Sequence, residues 1–474
     1  MNLQPAPEDP QAGHAPIAAQ ITRARAAMAT LKGASQARID EAVTALAWAI
    51  YKPEHASELA KLAVADTGLG NIPDKITKNT RKTFGALRDL LRAKTVGIIE
   101  EDPAKGLVKY AKPVGVVAAI CPSTNPAATP ANKAMMSLKG GNAVIVAPSP
   151  AGYSTTARYV DLARAELTKA GFDPDLIQIL VAPVDKAATQ ALMTMADLVV
   201  VTGSQNNVRR AYSSGTPAIG VGAGNVPVIV DETADLDVAA DKIMRSKIFD
   251  NATSCSSENS VILLDAVYDD TIAALQRAGG FLATGGARQR VLDTLWQNGN
   301  LNRHIIAKDM PVLAEAFELG EGAAAAKFLM VEETGIGEDF PLSGEKLSLV
   351  LTVYRARDFA HAKQLVHDIL AHEGMGHSCG IHTSLPERAS ALAEDLDVVR
   401  VLVNQAHTFG NGGSFDNGLP FTLSMGCGTW AGNSITENLN YKNFINITHL
   451  VTTIPEDRPS EEALFGGYWA KFGK

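Results

Sequence analysis

The sequence feature that most constrains the fold is a repeated alternation of short β-branched runs with helical stretches. The runs are continuously apolar: GVVAAIC (115–121), NAVIVAP (142–148), LIQILVAP (176–183), DLVVVTG (197–203), VPVIVD (226–231) and NSVILLD (259–265). Helical patterns lie between most of them, as over 153–170 and 185–195. Continuously apolar strands joined by helices are typical of parallel sheets covered on both faces. The sequence therefore predicts an α/β fold.

The alternation resumes in the second half of the chain, with strand-like runs over 347–354, 380–382 and 398–403. Residues 17–98 show helical patterning instead. We predict two doubly wound parallel-sheet domains and an extension, divided as 1–230, 231–428 and 429–474. The late strand-like run FINITHLVTT (444–453) has no neighbour in sequence, which suits pairing with another domain or subunit. A strand within 107–114 is expected to belong to the same extension.

Composition and charge exclude several classes of protein. Hydrophobic residues make up 46% and charged residues 20%, an ordinary globular balance. No apolar run reaches the roughly 18 residues that a membrane span requires. The net charge of -8 and the lack of a basic stripe argue against nucleic-acid binding. The polar N-terminus, MNLQPAPEDPQAGHAP, lacks the pattern of a secretory signal, so we expect a cytoplasmic protein.

The four cysteines are far apart and form no metal-binding or disulfide pattern, so we expect no metal. Cys255 lies in DNATSCSSE (250–258), among small polar residues where backbone N–H groups can favour a nucleophilic thiolate. The alternative is that a lone cysteine is a small buried hydrophobe. We keep that interpretation for Cys121, Cys379 and Cys427.

Two junctions after predicted strands could bind ligands, because ligands bind at the carboxyl ends of parallel strands. In CPSTNP (121–126), the Asn125 amide could donate to a developing oxyanion, although Asn-Pro also simply begins turns. Thr202, Gly203 and Ser204 could present helix N-terminal amides to a pyrophosphate, although such junctions often need glycine. The GVGAG run (220–224) precedes a strand, so it is not a dinucleotide fingerprint.

Six segments carry a resemblance to a known family. KPVGVVAAICPSTNPAATP, SSGTPAIGVGAGNVPVIVDETAD, DNATSCSSENSV, EKLSLVLTVYRARDF, EGMGHSCGIHT and WAGNSITENL occur in this order. Together they resemble the CoA-acylating branch of the aldehyde dehydrogenase superfamily. The resemblance implies a dinucleotide-binding domain within 1–230, a catalytic domain over 231–428 and an oligomerisation extension, and hence a homodimer or homotetramer.

The resemblance also implies roles for individual residues. Cys255 matches the nucleophile and Asn125 the oxyanion-binding amide. Thr202, Gly203 and Ser204 match the turn against the cofactor phosphates, and Glu345 matches the carboxylate that holds the nicotinamide ribose. His377 in EGMGH matches a histidine of the acylating branch; it is predicted to bind substrate, with a structural histidine as the alternative.

The reaction is expected to end in transfer to CoA. Hydrolytic relatives carry a glutamate general base in the segment that aligns with 220–224, where this chain has Val221 and small residues. A long-lived acyl-enzyme is then available to the CoA thiol. Alternatives are a hydrolytic enzyme that uses Glu258 or Glu373, a catalytically silent relative, and a piece of a bifunctional aldehyde–alcohol dehydrogenase. We discount the last because the chain ends without an iron-binding histidine cluster.

The sequence constrains the identity of the cofactor and of the aldehyde less than it constrains the reaction. Ser149 lies in the stretch APSP (147–150), which lacks the acid that many NAD-preferring relatives place there; NADP is therefore favoured over NAD. Thr253 and Ser254, with the polar residues of the loop 404–414, suit a short aldehyde with an anionic tail. The pattern most resembles members that act on sulfoacetaldehyde, with succinate semialdehyde and acetaldehyde as alternatives. The loop residues, Asn404, Gln405, His407 and Asn411, could instead only satisfy backbone groups.

Overall fold

The computed structural model describes residues 14–474, so residues 1–13 of the polar N-terminal segment lie outside the described part. The helices are α1 (His14–Ala29), α2 (Gln36–Tyr51), α3 (Pro53–Thr67), α4 (Ile72–Leu91), α5 (Ala128–Lys139), α6 (Tyr153–Lys169), α7 (Lys186–Met195), α8 (Gln205–Tyr212), α9 (Leu236–Ile248), α10 (Tyr268–Arg277), α11 (Gly285–Leu295), α12 (Met310–Ala316), α13 (Glu321–Ala324), α14 (Phe359–His372), α15 (Pro386–Asp395), α16 (His407–Gly410) and α17 (Glu461–Phe472).

The strands follow the apolar runs of the sequence. They are β1 (Gly97–Asp102), β2 (Leu107–Pro113), β3 (Val116–Ile120), β4 (Ala143–Ala147), β5 (Ile177–Ile179), β6 (Leu198–Thr202), β7 (Ala218–Val221), β8 (Val226–Val230), β9 (Glu258–Leu264), β10 (Gly280–Ala283), β11 (Trp296–Gln297), β12 (Asn300–Leu301), β13 (Phe328–Glu332), β14 (Val350–Ala356), β15 (Cys379–His382), β16 (Val401–Val403) and β17 (Ile445–Val451).

Two parallel sheets form the cores. The first has the order β5-β4-β3-β6-β7, and the second has the order β10-β13-β14-β9-β8-β15-β16. Every pairing within them is parallel. The central strands β3, β4, β8 and β9 are buried along their whole length, as strands covered on both faces must be. The predicted α/β class with two parallel-sheet domains is confirmed.

The boundary between the two sheets lies earlier than the sequence predicted. We expected the first domain to run to residue 230, but β8 pairs with β9 and β15 of the second sheet. The chain therefore passes from one sheet to the other at 222–225, between β7 and β8. The apolar run of β8 looks the same in sequence whichever sheet it joins, because all these strands are buried on both faces.

A third sheet joins distant parts of the chain. Strands β1, β2 and β17 form an antiparallel sheet in which Leu107 of β2 pairs with Val451 of β17. The two predicted extension strands are thus partners of each other, and β1 is a strand that the sequence did not indicate. Within residues 14–474, no helix combines the length and the apolar composition needed to cross a bilayer.

Helix α4 buries a face that is largely basic. Asn71 caps its N-terminus by accepting a hydrogen bond from the Asp74 N–H, and Pro73 lies in its first turn. Lys75, Lys78 and Lys82 are all buried. Their spacing of three and four residues puts them on one side of the helix, and Lys78 and Lys82 line the cavity described next.

Candidate active site

A cavity of about 330 Å³ collects residues from both parallel sheets and from α4. The loops that follow β3, β6 and β7 contribute one wall, and the loop that precedes β9 contributes the other. Of the predicted site residues, the cavity is lined by Asn125, Thr202, Gly203, Ser204, Thr253, Ser254, Cys255 and Glu345. Ser149 and His377 do not line it.

The loop that carries Cys255 begins in a costly backbone conformation. Asp250, Asn251 and Ala252 have φ values of 50°, 54° and 59°, the left-handed region that non-glycine residues avoid. The Asp250 carboxylate is fully buried and accepts hydrogen bonds from Lys78 Nζ at 2.6 Å and Lys75 Nζ at 3.0 Å. It also accepts from the Thr253 hydroxyl at 2.8 Å. These contacts fix the turn before the nucleophile.

Lys75 also connects this loop to the predicted oxyanion-binding loop. Its Nζ donates both to the Asp250 carboxylate and to the Thr124 carbonyl at 3.1 Å, one residue before Asn125. Burial would raise the pKa of Asp250, but Lys78 and Lys75 outweigh it and lower that pKa. The carboxylate is therefore charged, and one buried ion-pair network sets the positions of Asn125 and Cys255.

The Cys255 thiol is protonated when the cavity holds no ligand. Burial raises its pKa to about 12, and the Glu345 and Cys427 side chains contribute in the same direction. The buried Arg400 acts against them. Glu345 itself has a pKa raised to about 8, first by burial and then by Glu373. Neither group is ionised to a large extent at neutral pH.

The residues predicted to hold a dinucleotide fit one. Helix α8 begins directly after β6, with Ser204 as its N-cap, so its free N–H groups point to the cavity side. A Cβ built on Gly203, at φ 148°, would meet nothing nearer than Pro122 at 3.8 Å, so the space above this turn is open. At the end of β4, the Ser149 hydroxyl oxygen is buried without a hydrogen-bond partner in the described residues, as a ribose-binding group would be before its ligand binds.

His377 lies behind the nucleophile loop, away from the cavity. It is fully buried, its Nδ1 is 2.7 Å from the Ser378 hydroxyl, and burial holds its pKa well below the usual value. A Cβ on Gly224 would approach both His377 Nε2, at 2.9 Å, and the Cys255 carbonyl, at 2.2 Å. The structure therefore does not bring His377 to the substrate side where the sequence predicted it.

The four polar residues predicted from the loop 404–414, Asn404, Gln405, His407 and Asn411, do not line the cavity, although Thr408 of the same loop does. His407 Nδ1 is 3.1 Å from the Ser256 carbonyl, and Asn411 donates to the Ser256 hydroxyl at 2.8 Å. Asn404 bonds to the backbone of Thr383, and Gln405 accepts from Asn417. The expectation that these side chains hold the substrate is wrong. His407 and Asn411 support the loop around Cys255, and Asn404 and Gln405 hold other parts of the chain.

Three cations that the sequence analysis missed do line the cavity: Lys78, Arg81 and Lys82 of α4. In the sequence, only their spacing sets them apart, because it puts them on one face of a helix. A basic face of this kind normally marks a solvated surface, so it does not by itself predict a site. That this face is buried becomes visible only in the tertiary structure. Gly85, one turn further, lies so close to the Phe421 ring that a Cβ would meet it at 2.3 Å, and this contact covers the basic face.

The cavity contains no candidate base in the segment where hydrolytic relatives carry one. Gly222 and Ala223 line that wall. The two alternative bases, Glu258 and Glu373, do not line the cavity, and Glu258 is instead fully buried and accepts from the His407 N–H at 3.1 Å. Within residues 14–474, no group of three or more His, Cys, Asp or Glu side chains is arranged to hold a metal ion.

Comparison with known proteins gives consistent matches. A sequence profile of the Aldehyde dehydrogenase family matches residues 5–294. The chain is 53% identical to a sulfoacetaldehyde dehydrogenase (acylating) of Cupriavidus necator, over 100% of this chain and 95% of that protein. It is 44% identical to a protein of the same name from Bilophila wadsworthia, over 97% and 99% of the two chains. The crystal structure of an acetylating aldehyde dehydrogenase from Geobacillus thermoglucosidasius superposes with a TM-score of 0.91 at 33% identity, covering 96% of this chain and 100% of the other.

Proposed function

The chain belongs to the acylating aldehyde dehydrogenases of the aldehyde dehydrogenase family, and we propose that it oxidises sulfoacetaldehyde to sulfoacetyl-CoA with Cys255 as the nucleophile. The observation that carries the proposal is the composition of the cavity. It brings Cys255 and Asn125 together, while the opposite wall at Gly222 and Ala223 has no side chain that could activate water. An acyl group on Cys255 would then await a thiol nucleophile.

The first step is attack of the Cys255 sulfur on the aldehyde carbonyl carbon. The thiol proton is lost, a C–S bond forms, and the carbonyl electrons move to oxygen. The Asn125 amide and the Cys255 backbone N–H are the donors for this oxyanion, and such donors lower the barrier because they are already oriented. A bound nicotinamide cofactor would accept the hydride that leaves this carbon.

The acyl group then leaves Cys255 as a CoA thioester. The CoA thiol loses its proton and attacks the acyl carbon, and the Cys255 thiolate is expelled and reprotonated. In total, aldehyde, CoA and oxidised cofactor give acyl-CoA, reduced cofactor and one proton. Because a thioester is exchanged for a thioester, the acyl transfer is close to balanced and can run in both directions.

The cofactor residues in this proposal are Gly203 and Ser204 for the phosphates, with Thr202 beside them, Glu345 for the nicotinamide ribose and Ser149 for the adenosine ribose. The unpartnered Ser149 hydroxyl and the absence of a carboxylate in 147–150 support NADP over NAD. The substrate assignment is supported by the two relatives named as sulfoacetaldehyde dehydrogenases and by the basic residues in the cavity.

The test is capture of the acyl-enzyme. The protein is incubated with sulfoacetaldehyde and NADP without CoA, and its intact mass and peptide map are measured. We expect one sulfoacetyl group on Cys255, its release on addition of CoA, and none in Cys255→Ser; Cys121→Ala serves as the control that still acylates. Turnover without an adduct on Cys255 contradicts the mechanism. Preferential acylation of Cys255 by succinate semialdehyde or acetaldehyde contradicts the assignment of sulfoacetaldehyde as the substrate.

A further inference from the structure

The charge of the cavity lining is strongly asymmetric. Lys78, Arg81 and Lys82 bring three cations from one face of α4, and Glu345 is the one carboxylate among the described lining residues. Because burial raises the pKa of Glu345 to about 8, its side chain is mostly neutral at physiological pH. The cavity therefore presents a net positive surface to whatever enters it.

The three cations differ in the groups that they contact. Lys78 is paired with a counter-ion, since its Nζ donates to the Asp250 carboxylate at 2.6 Å and to the Thr253 hydroxyl at 3.2 Å. Lys82 donates only to the Gly412 carbonyl at 2.8 Å, and Arg81 donates to the Ser414 hydroxyl at 3.0 Å. Among the ion pairs found in residues 14–474, none includes Arg81 or Lys82.

Both unpaired cations are held in place. Three rings surround the Arg81 guanidinium, with centroids at 5.3 Å for Phe409, 5.7 Å for Phe415 and 5.4 Å for Phe421. The Lys82 ammonium is 5.5 Å from the centroid of the Phe421 ring. Such rings stabilise a cation without neutralising it. The Asp416 carboxylate, which also contacts the Ser414 hydroxyl, attracts the Arg81 guanidinium without forming an ion pair with it. Burial lowers the pKa of Lys82 to about 7, so its ammonium is available to an anion mainly at and below neutral pH.

The position of Lys82 indicates where an anion would bind relative to Cys255. Lys82 is only 9% exposed and lines the same cavity as Cys255. The predicted phosphate-binding residues, Gly203 and Ser204, come from the end of β6 and not from α4. An anion held by Lys82 therefore shares one cavity with the reacting sulfur, as the tail of a short aldehyde attached to Cys255 would.

We propose that Arg81 and Lys82 bind the anionic tail of the aldehyde and determine the preference of the enzyme for a sulfonate-bearing substrate. The proposal rests on the proposed function for the identity of the substrate. A sulfonate is a strong acid with three acceptor oxygens, so it can take hydrogen bonds from the guanidinium and the ammonium at once. Thr253 and Ser254 would then contact the carbonyl end of the aldehyde, beside Cys255.

The test compares two alkylating agents of nearly the same size on Cys255, the anionic iodoacetate and the neutral iodoacetamide. Their rate ratio is independent of the ionisation of the thiol. We expect the ratio to favour iodoacetate in the native protein, relative to a small free thiol, and to fall by about tenfold or more in Lys82→Met and Arg81→Met, because a charge-assisted hydrogen bond is at stake. Lys94→Met, which removes an exposed lysine just beyond α4, keeps the native ratio.

Two outcomes overturn the proposal. If both reagents slow by the same factor in the variants, the cations act on the thiolate instead of the ligand. If the KM of CoA or NADP rises in the variants while that of sulfoacetaldehyde stays constant, the cations bind phosphates. Acyl-enzyme formation on Cys255 can still succeed in either case, so failure here is distinct from failure of the proposed function.

A measurement on the unaltered protein covers the case in which a variant does not fold. Methanesulfonate and the neutral dimethyl sulfone have similar size and differ in charge. We expect methanesulfonate to protect Cys255 against iodoacetamide at concentrations where dimethyl sulfone does not. Equal protection, or no protection by either compound, contradicts an anion site beside the nucleophile.

Discussion

At the scale of single residues, Lys82 is the group whose protonation most directly affects the cavity. Burial lowers its pKa to about 7, with Arg81 and Lys78 adding like-charge repulsion. A bound anion favours the protonated ammonium and raises this pKa, so binding takes up a proton. Above the pKa the free protein loses the charge that the anion needs.

We therefore expect a pH dependence specific to anionic aldehydes. The KM of sulfoacetaldehyde should rise as the pH increases above about 7, by up to tenfold per unit, while the KM of acetaldehyde does not follow it. The ratio of kcat/KM for the two aldehydes removes the shared ionisation of Cys255. A ratio that stays constant between pH 6 and pH 9 would show that Lys82 does not bind the tail.

Glu345 gives a second residue-scale prediction. Its ionised carboxylate opposes formation of the Cys255 thiolate, so Glu345→Gln should lower the pKa of Cys255 and increase the rate of iodoacetamide alkylation at pH 9 several-fold. Glu54→Gln, at an exposed position of α3, is the control. A slower reaction in Glu345→Gln would instead identify Glu345 as the acceptor of the thiol proton.

The sequence predicted site residues from loops beside predicted strands, after the strand for Asn125 and Gly203 and before it for Cys255. Asn125, Gly203 and Cys255 were singled out from their junctions, and the structure brings all three to one cavity. The basic residues of α4 were not predicted, because nothing local distinguishes a solvated basic face from one that aromatic side chains far along the chain, such as Phe421, bury. The misassigned His407 and Asn411 show the reverse problem, since polar residues near a site can serve the backbone alone.

At the scale of elements, the contact between α4 and the nucleophile loop is the structural support of the site. Asp250→Ala should lower the free energy of unfolding by about 3–5 kcal/mol, because two buried lysines lose their shared counter-ion. Thermal unfolding measures the change. Asp241→Asn, which breaks a mostly exposed pair with Arg245 on α9, should change stability by less than about 1 kcal/mol. Equal shifts for the two variants would contradict the role of Asp250.

The sequence predicted most elements, because buried strands and helices differ in apolar pattern. It did not predict the place where the chain changes sheet, since β8 is buried on both faces wherever it pairs. Nor did it predict β1, whose sequence GIIEED is half acidic and which the structure pairs with β2. Pairings of this kind depend on neighbours that local pattern does not specify.

At the scale of the whole molecule, the third sheet leaves apolar surface uncovered. In the described chain β17 is an edge strand, and Ile447, Leu450 and Val451 on it are exposed. An edge with exposed apolar side chains favours association. We therefore expect a sedimentation mass that is a multiple of 50.0 kDa, reduced by Leu450→Glu. Val312→Glu, at an exposed apolar position of α12, should leave the mass unchanged. A native monomer would contradict this expectation.

The proposed function requires this cavity to transfer an acyl group to CoA and not to water. The most direct test follows the absorbance of reduced cofactor with purified protein, sulfoacetaldehyde and NADP, with and without CoA. We expect sustained turnover only when CoA is present, and at most one equivalent of reduced cofactor per Cys255 in its absence. Sustained turnover without CoA would contradict it, because some group in the protein would then be activating water.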